Sequence, residues 1–70
     1  MDAILIGKRL RDLRGNSTQK ETAKALGISI SALTMYENGN RIPRDEIKLK
    51  IAKHYGKTVE EIFFASCCHL

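Results

Sequence analysis

Residues 18–39 of the 70-residue chain read TQKETAKALGISISALTMYENG and carry its strongest structural signals. Thr18 and Glu21 have the spacing of a capping box, in which each residue satisfies a free amide at a helix start. Gly27 follows the last apolar position and can adopt the left-handed conformation that ends a helix at little steric cost. The first half of the stretch therefore predicts a short helix that ends at Gly27.

The second half of the stretch predicts another short helix, over Ile30–Asn38, that begins after Ser29 and is closed by Gly39. Only the three residues 27–29 separate the two helices, so the helices must meet at a sharp angle. The small side chain of Ala23 suits the close packing that such an angle requires. This arrangement predicts a helix-turn-helix, a motif that also occurs in proteins that do not bind DNA.

Three further short helices are predicted outside this stretch. The first covers about Leu5–Arg14 and places Ile6, Leu10 and Leu13 on one face. The fourth starts near Pro43, at its first helical position, and runs through Ile47, Leu49, Ile51 and Ala52 to Tyr55. The fifth follows a second capping box, Thr58 with Glu61, and holds Val59, Ile62 and Phe63. We expect an all-α fold, with one domain over residues 1–64 and a short tail over residues 65–70.

The composition excludes several classes of protein. Apolar residues make up 43% and charged residues 29% of the chain, as in ordinary globular domains, and no apolar run approaches the roughly 20 residues that span a bilayer. The N-terminal stretch MDAILIG has no secretory signal pattern. We therefore expect a cytoplasmic protein without a membrane segment.

The positive charge is unevenly distributed along the chain. The net charge is +4, and residues 1–44 carry eight basic and four acidic side chains, whereas residues 45–70 carry four of each. A localised positive surface attracts phosphates, although a basic face can also be merely solvated. The charge distribution favours nucleic acid as a partner.

Neither catalysis nor a cofactor is expected from this sequence. It contains no Ser/His/Asp set, no carboxylate pair of the kind found in clefts and no phosphate-binding glycine loop, so we predict no enzyme. Cys67, Cys68 and His69 are too close together to enclose a tetrahedral metal site, and the thiols are expected to be reduced. His54 is expected to be a partly exposed surface residue.

The faces of the third helix separate clearly when residues are placed about 100° apart. Leu33 and Tyr36 share the buried arc with Ala32, which leaves the opposite face free to enter a major groove. Glu37 falls at the edge of the buried arc, where a carboxylate needs a partner. Arg14, at the end of the first helix, is the candidate partner, and a solvated Glu37 is the alternative.

Several segments of the sequence resemble one known family. They are Thr18-Gln19, Ala23, Leu26-Gly27-Ile28-Ser29, Leu33, Tyr36-Glu37-Asn38-Gly39, Arg41-Ile42-Pro43 and residues 58–63. In this order they resemble the Cro and phage-repressor class of helix-turn-helix regulators, the XRE family, over about residues 6–64. The resemblance implies a five-helix, lambda-repressor-like fold and sequence-specific binding of double-stranded DNA, usually as a dimer on a two-fold symmetric site. The sequence departs from the family at Thr22, where an apolar residue is usual.

The resemblance also implies two sets of DNA contacts. The base-reading positions of the third helix are Ile30, Ser31, Thr34 and Met35. Contacts to the DNA backbone are implied for Gln19, at the N-terminus of the second helix, and for Asn38, Asn40, Arg41 and Arg44 in the following loop. An ordinary first-turn glutamine and solvated arginines are the alternatives to these backbone contacts.

The base-reading face has a distinctive chemistry because it lacks Arg, Lys and Gln. We expect little guanine recognition, with apolar contacts to thymine methyl groups and weak readout by Ser and Thr hydroxyls. An alternative is that Ile30 and Met35 pack against a protein. The second functional hypothesis is accordingly an antitoxin-like or antirepressor-type module that docks another protein, and a protein antagonist is a further candidate partner.

The end of the chain offers a candidate surface for self-association. Residues 62–65, Ile-Phe-Phe-Ala, hold more apolar surface than a short helix needs for its own core, so part of it is expected to form a two-fold contact in a homodimer. The alternative is that Phe64 folds back into the core. No separate sensing domain is expected after residue 64, so regulation would act through concentration, partners or proteolysis.

Overall fold

The computed structural model describes residues 2–64, which form five helices and no strand. The all-α, five-helix prediction is therefore confirmed. The helices are α1 (Ala3–Arg14), α2 (Gln19–Leu26), α3 (Ile30–Glu37), α4 (Asp45–Tyr55) and α5 (Glu60–Phe64), the last of which is a short π-helix. The predictions for Cys67, Cys68 and His69 lie outside the described residues.

The predicted caps position the central helices. The Thr18 hydroxyl accepts from the Glu21 amide at 3.0 Å, and a Glu21 carboxylate oxygen accepts from the Thr18 amide at 3.2 Å. Ser29 caps α3 by accepting from the Ala32 amide at 3.0 Å. Gly27 closes α2 in the left-handed region, at φ +72°. Local hydrogen bonds thus set both ends of the turn between α2 and α3.

The second capping box, Thr58 with Glu61, is also present. The Glu61 carboxylate accepts from the Thr58 amide at 2.9 Å, and the Thr58 hydroxyl accepts from the Glu61 amide at 3.0 Å. Accepting the backbone and hydroxyl hydrogen bonds of Thr58 favours the ionised carboxylate and lowers the pKa of Glu61. This box sets the start of α5.

Three helix boundaries differ from the sequence predictions. The start of α1 is Ala3 and not Leu5, because Asp2 accepts hydrogen bonds from the amides of residues 4 and 5. The start of α4 is Asp45 and not Pro43, because Arg44 adopts an extended conformation that cannot continue a helix. Pro43 is instead buried in the preceding loop. The end of α3 is Glu37, one residue before the predicted end.

A single apolar core joins the helices. It contains Ile6, Leu10, Ala23, Leu26, Leu33, Tyr36, Ile51, Ala52, Ile62 and Phe63. Thr22, at the position where the resemblance implies an apolar residue, is buried beside this core. Leu49 does not join it and is 63% exposed, and Phe64 is 57% exposed, so the alternative that Phe64 folds back as core is wrong. Within residues 2–64, no helix has both the length and the apolar content to cross a membrane.

Candidate nucleic-acid interface

The outer face of α3 is held away from the core. Leu33 and Tyr36 are buried where α3 packs against α1 and α2. On the opposite side, Ile30 is 47% exposed and Met35 40% exposed. Ser31 is exposed as well, and Thr34, whose hydroxyl also donates within α3, is half-buried. The fold therefore brings the four predicted base-reading residues to one side of α3.

A glycine that the sequence analysis did not single out sets the distance between α1 and α3. Gly7 is buried, and a Cβ atom at this position would lie 2.3 Å from the carbonyl oxygen of Glu37. No larger side chain fits between the two helices without a shift of backbone. Gly7 lies next to Ile6 on the apolar face of α1, and its small size is the only sequence signal for this close contact.

The predicted pair between Arg14 and Glu37 is present, and it is bidentate. Arg14 Nε donates to Glu37 Oε2 at 2.7 Å, and Arg14 Nη2 donates to Glu37 Oε1 at 3.0 Å. The Glu37 side chain is 1% exposed, whereas that of Arg14 is 19% exposed. The hydrogen bonds to Glu37 raise the pKa of Arg14 above its usual value. The alternative of a solvated Glu37 is wrong, because its carboxylate lies between α1 and α3.

Gln19 is part of the same network, which the sequence analysis did not predict. Its side-chain amide donates to Glu37 Oε1 at 3.0 Å. Its carbonyl oxygen lies 3.3 Å from the Thr34 hydroxyl, whose single proton is shared between this oxygen and the Ile30 carbonyl at 2.9 Å. The amide thus links the start of α2 to the buried and outer faces of α3. This network orients the Gln19 side chain, and a phosphate contact by Gln19 stays a prediction.

The loop between α3 and α4 carries the other predicted backbone contacts. Asn38, Asn40, Arg41 and Arg44 are all exposed. Arg11 on α1 donates to the side-chain oxygen of Asn38 at 2.8 Å, so a third cation, besides Arg41 and Arg44, is fixed beside this loop. The sequence analysis did not single out Arg11, because its contact with Asn38 depends on how α1 and α3 pack. The exposed loop is thus lined with cations and amides, groups that bind phosphates.

A helix-turn-helix family model matches residues 8–62 of the chain. Relatives include an uncharacterised HTH-type transcriptional regulator of Methanocaldococcus jannaschii, 40% identical over 48 residues, covering 69% of this chain and 73% of the relative. The uncharacterised HTH-type regulator YazB of Bacillus subtilis is 49% identical over 45 residues, covering 61% of this chain and 65% of YazB.

A third relative carries a description of its activity. The cryptic phage CTXphi transcriptional repressor RstR of Vibrio cholerae is 32% identical over 60 residues, which are 83% of this chain and 54% of the repressor. The chain thus spans about half the length of that repressor. The family match includes α2, the turn and α3, where the structure contains the capped helix pair described above. The chain belongs to the XRE-type helix-turn-helix family of transcriptional regulators.

Proposed function

We propose that this protein is a repressor that binds a two-fold symmetric DNA site in a sequence-specific manner as a homodimer. The observation that carries the proposal is the outer face of α3, which is exposed while its inner face is fixed to α1 and α2. In this proposal Ile30, Ser31, Thr34 and Met35 contact base edges in the major groove. The similarity to a phage repressor supports the direction of regulation.

The hydrogen-bond network around Glu37 supports the proposal because it holds α3 in one orientation. The ion pair with Arg14 and the hydrogen bond from Gln19 fix α3 relative to α1 and α2. A reading helix held in one orientation presents its side chains to bases with little loss of conformational freedom on binding. The Thr34 hydroxyl already shares its proton between Gln19 and the backbone of α3, so the contact of Thr34 with a base is expected to be weak.

The backbone contacts are proposed for the N-terminus of α2, through Gln19, and for the loop residues Asn38, Asn40, Arg41 and Arg44. Because phosphate contacts carry no sequence information, these residues set the register of the protein on the duplex. The charges of Arg41 and Arg44 also make binding depend on salt, since each neutralised phosphate releases counterions.

Fluorescence anisotropy tests the proposal directly. The purified protein is titrated against labelled DNA from upstream of its own gene and against a scrambled duplex, each at two salt concentrations. We expect tight binding to the upstream DNA, weaker binding to the scrambled duplex and a loss of affinity with salt. Equal weak binding to both duplexes would contradict a sequence-specific regulator.

Variants of the loop test its assigned role. Arg41→Ala and Arg44→Ala are each expected to weaken binding to every duplex and to reduce the salt slope by about 1. Lys57→Ala, an exposed cation outside the proposed interface, is the matched control and should change neither quantity. Unchanged binding by both loop variants would remove the loop from the interface.

A protein-docking function is the second candidate, and the exposure of two apolar residues on the reading face favours it. Ile30 and Met35 could bury this surface against another protein as readily as against thymine methyl groups. Selection from a random duplex library separates these functions. A selected half-site rich in A·T pairs supports DNA reading by this face, whereas a library without enrichment supports protein docking.

A further inference from the structure

A groove between α2 and α4 is lined with cations and belongs to no contact proposed so far. It has a volume of about 420 Å³, and Lys24, Ala25, Gly27, Lys50, Lys53 and His54 line it. None of the three lysines forms an ion pair with another residue in the range 2–64. The groove thus concentrates positive charge without any carboxylate among its lining residues.

Helix dipoles explain part of this arrangement but not all of it. Lys24 lies in the last turn of α2, and Lys53 and His54 lie in the last turn of α4, where the helix dipole favours cations. The dipole of each helix acts on its own end, however, and does not require cations from two helices to share one groove. Lys50 lies in the middle of α4, and its Nζ is 3.9 Å from where a Cβ of Gly27 would be. The groove therefore holds more positive charge than capping of the helices requires.

The groove is separate from the reading face of α3. It follows the line along which α4 packs against α2, and neither Ile30 nor Met35 is part of its lining. Glu21 lines a neighbouring cavity together with Ala25 and His54. A ligand in the groove would leave the outer face of α3 open.

The lining of the groove indicates which anionic ligand fits. Beside the three lysines, Ala25, Gly27 and the edge of Leu26 supply a small apolar surface. A peptide can present carboxylates to the lysines and a small apolar side chain to this surface, so it complements both parts of the lining. The volume suits a few peptide residues.

We propose that this groove binds an acidic segment of a partner protein, in which carboxylates flank a small apolar side chain. Lys24, Lys50 and Lys53 bind the carboxylates, and the apolar side chain rests on Ala25 and Gly27. Such a partner can bind the regulator while DNA occupies α3. The proposal goes beyond DNA binding and does not depend on it.

The first test uses the full chain and a fluorescein-labelled peptide in which glutamates flank one leucine. A titration followed by ¹⁵N NMR is expected to shift the amide signals of Lys24, Gly27, Lys50 and His54. The same peptide with glutamines in place of glutamates is the control and should leave these signals unchanged. Shifts spread evenly over all exposed lysines would overturn the proposal, because they would indicate general charge attraction.

The second test compares two double variants that remove the same net charge, one inside the groove and one outside it. Fluorescence anisotropy of the labelled peptide measures the affinity of each variant. The double variant Lys50→Gln/Lys53→Gln is expected to weaken peptide binding about tenfold, since two close charges are lost. Lys50→Arg/Lys53→Arg should retain the binding and shows that the fold tolerates changes at these positions. Lys8→Gln/Lys57→Gln removes the same net charge elsewhere and should weaken binding by less than about twofold. Equal losses in the two glutamine variants would overturn the groove as the site.

Nucleic acid is the competing ligand, and the same variants distinguish it. A scrambled duplex replaces the peptide in the NMR titration and in the anisotropy measurement. The proposal expects the duplex to leave the groove amides unshifted and to bind Lys50→Gln/Lys53→Gln as tightly as Lys8→Gln/Lys57→Gln. If the duplex shifts the groove amides and the groove variant loses duplex binding, the groove is a DNA surface and the protein partner is rejected.

Discussion

At the residue scale, the buried Glu37 carboxylate depends on its partners. Arg14→Ala leaves a charge between α1 and α3 with Gln19 as its remaining side-chain donor. We expect this variant to lower the free energy of unfolding by about 2–3 kcal/mol, because removal of one partner leaves a buried charge poorly compensated. Glu37→Ala should also destabilise, and the double variant should lose less than the sum of the two. Urea denaturation of all four proteins measures these losses.

A control variant and the additivity of the two losses complete this test. Arg41→Ala removes an arginine that is exposed in the loop, and its free energy of unfolding should stay within about 0.5 kcal/mol of that of the unchanged protein. Strictly additive losses for Arg14→Ala and Glu37→Ala would show that the two side chains do not stabilise the fold as a pair.

A second residue-scale prediction concerns Tyr55. Its hydroxyl is buried and forms no hydrogen bond of standard geometry within residues 2–64. Burial is the largest effect and raises the pKa of Tyr55 above its usual value, with Glu37 adding to the rise, although the neighbouring Thr22 side chain acts to lower this pKa. The unfolded tyrosine ionises near about pH 10, so folding stability is full below that pH. Stability is then lost as the pH rises from there through the higher pKa of the folded state, because ionisation favours the unfolded chain.

Tyr55→Phe isolates this effect. The variant should be as stable as the unchanged protein or more stable at neutral pH, because it removes a buried hydroxyl that lacks a hydrogen bond of standard geometry. It should also lose less stability above about pH 10, because it lacks the Tyr55 phenol, whose pKa is raised in the folded state. Urea denaturation at neutral and alkaline pH measures both. A clear loss of stability at neutral pH would mean that the hydroxyl has a stabilising partner.

At the element scale, the contact between α1 and α3 depends on the absence of a side chain. Alanine normally stabilises a helix relative to glycine by about 1 kcal/mol. In Gly7→Ala, however, the new methyl would meet the Glu37 carbonyl, so we expect a net loss of about 2 kcal/mol from overpacking. Thermal unfolding followed by circular dichroism measures the change. Lys8→Ala, an exposed neighbour on α1, is the control, and a melting temperature of Gly7→Ala that matches it would refute the tight contact.

At the scale of the whole molecule, the proposed homodimer needs a surface that the monomer leaves open. Leu49 and Phe64 are exposed and line one groove together with Val59, Asp45 and Lys48. The Lys48 ammonium lies 5.1 Å from the centre of the Phe64 ring and 3.7 Å from a carboxylate oxygen of Asp45. This apolar surface with a paired cation at its centre is a candidate two-fold contact.

Sedimentation velocity over a range of concentrations tests the dimer. We expect the mass to rise from monomer to dimer with concentration, and we expect Leu49→Glu and Phe64→Glu to hold the protein as a monomer, because a buried charge opposes association. Ile42→Glu changes an exposed apolar residue outside this surface and should leave the dimer intact. A monomer mass at every concentration would reject the homodimer.

The local sequence was sufficient to predict most of the secondary structure. Capping boxes, serine caps and glycines that adopt a left-handed conformation act within four residues, so Thr18, Ser29 and Gly27 could be assigned from spacing alone. The boundary errors arose where two local signals compete. Pro43 suits a first helical position, but the extended Arg44 delays α4, and the cap at Asp2 extends α1 beyond its apolar pattern.

Periodicity and short-range hydrogen bonds were sufficient to predict the five helices, the turn between α2 and α3 and the exposed face of α3 from the sequence alone. The sequence analysis also predicted the pair of Arg14 with Glu37, since a carboxylate near a buried arc requires a partner. Only the tertiary structure decided that Gln19 joins that pair, that Gly7 sets the approach of α1 to α3, and that lysines of α2 and α4 share one groove. These contacts join residues distant along the chain, so they depend on helix crossing distances and angles that no local pattern specifies.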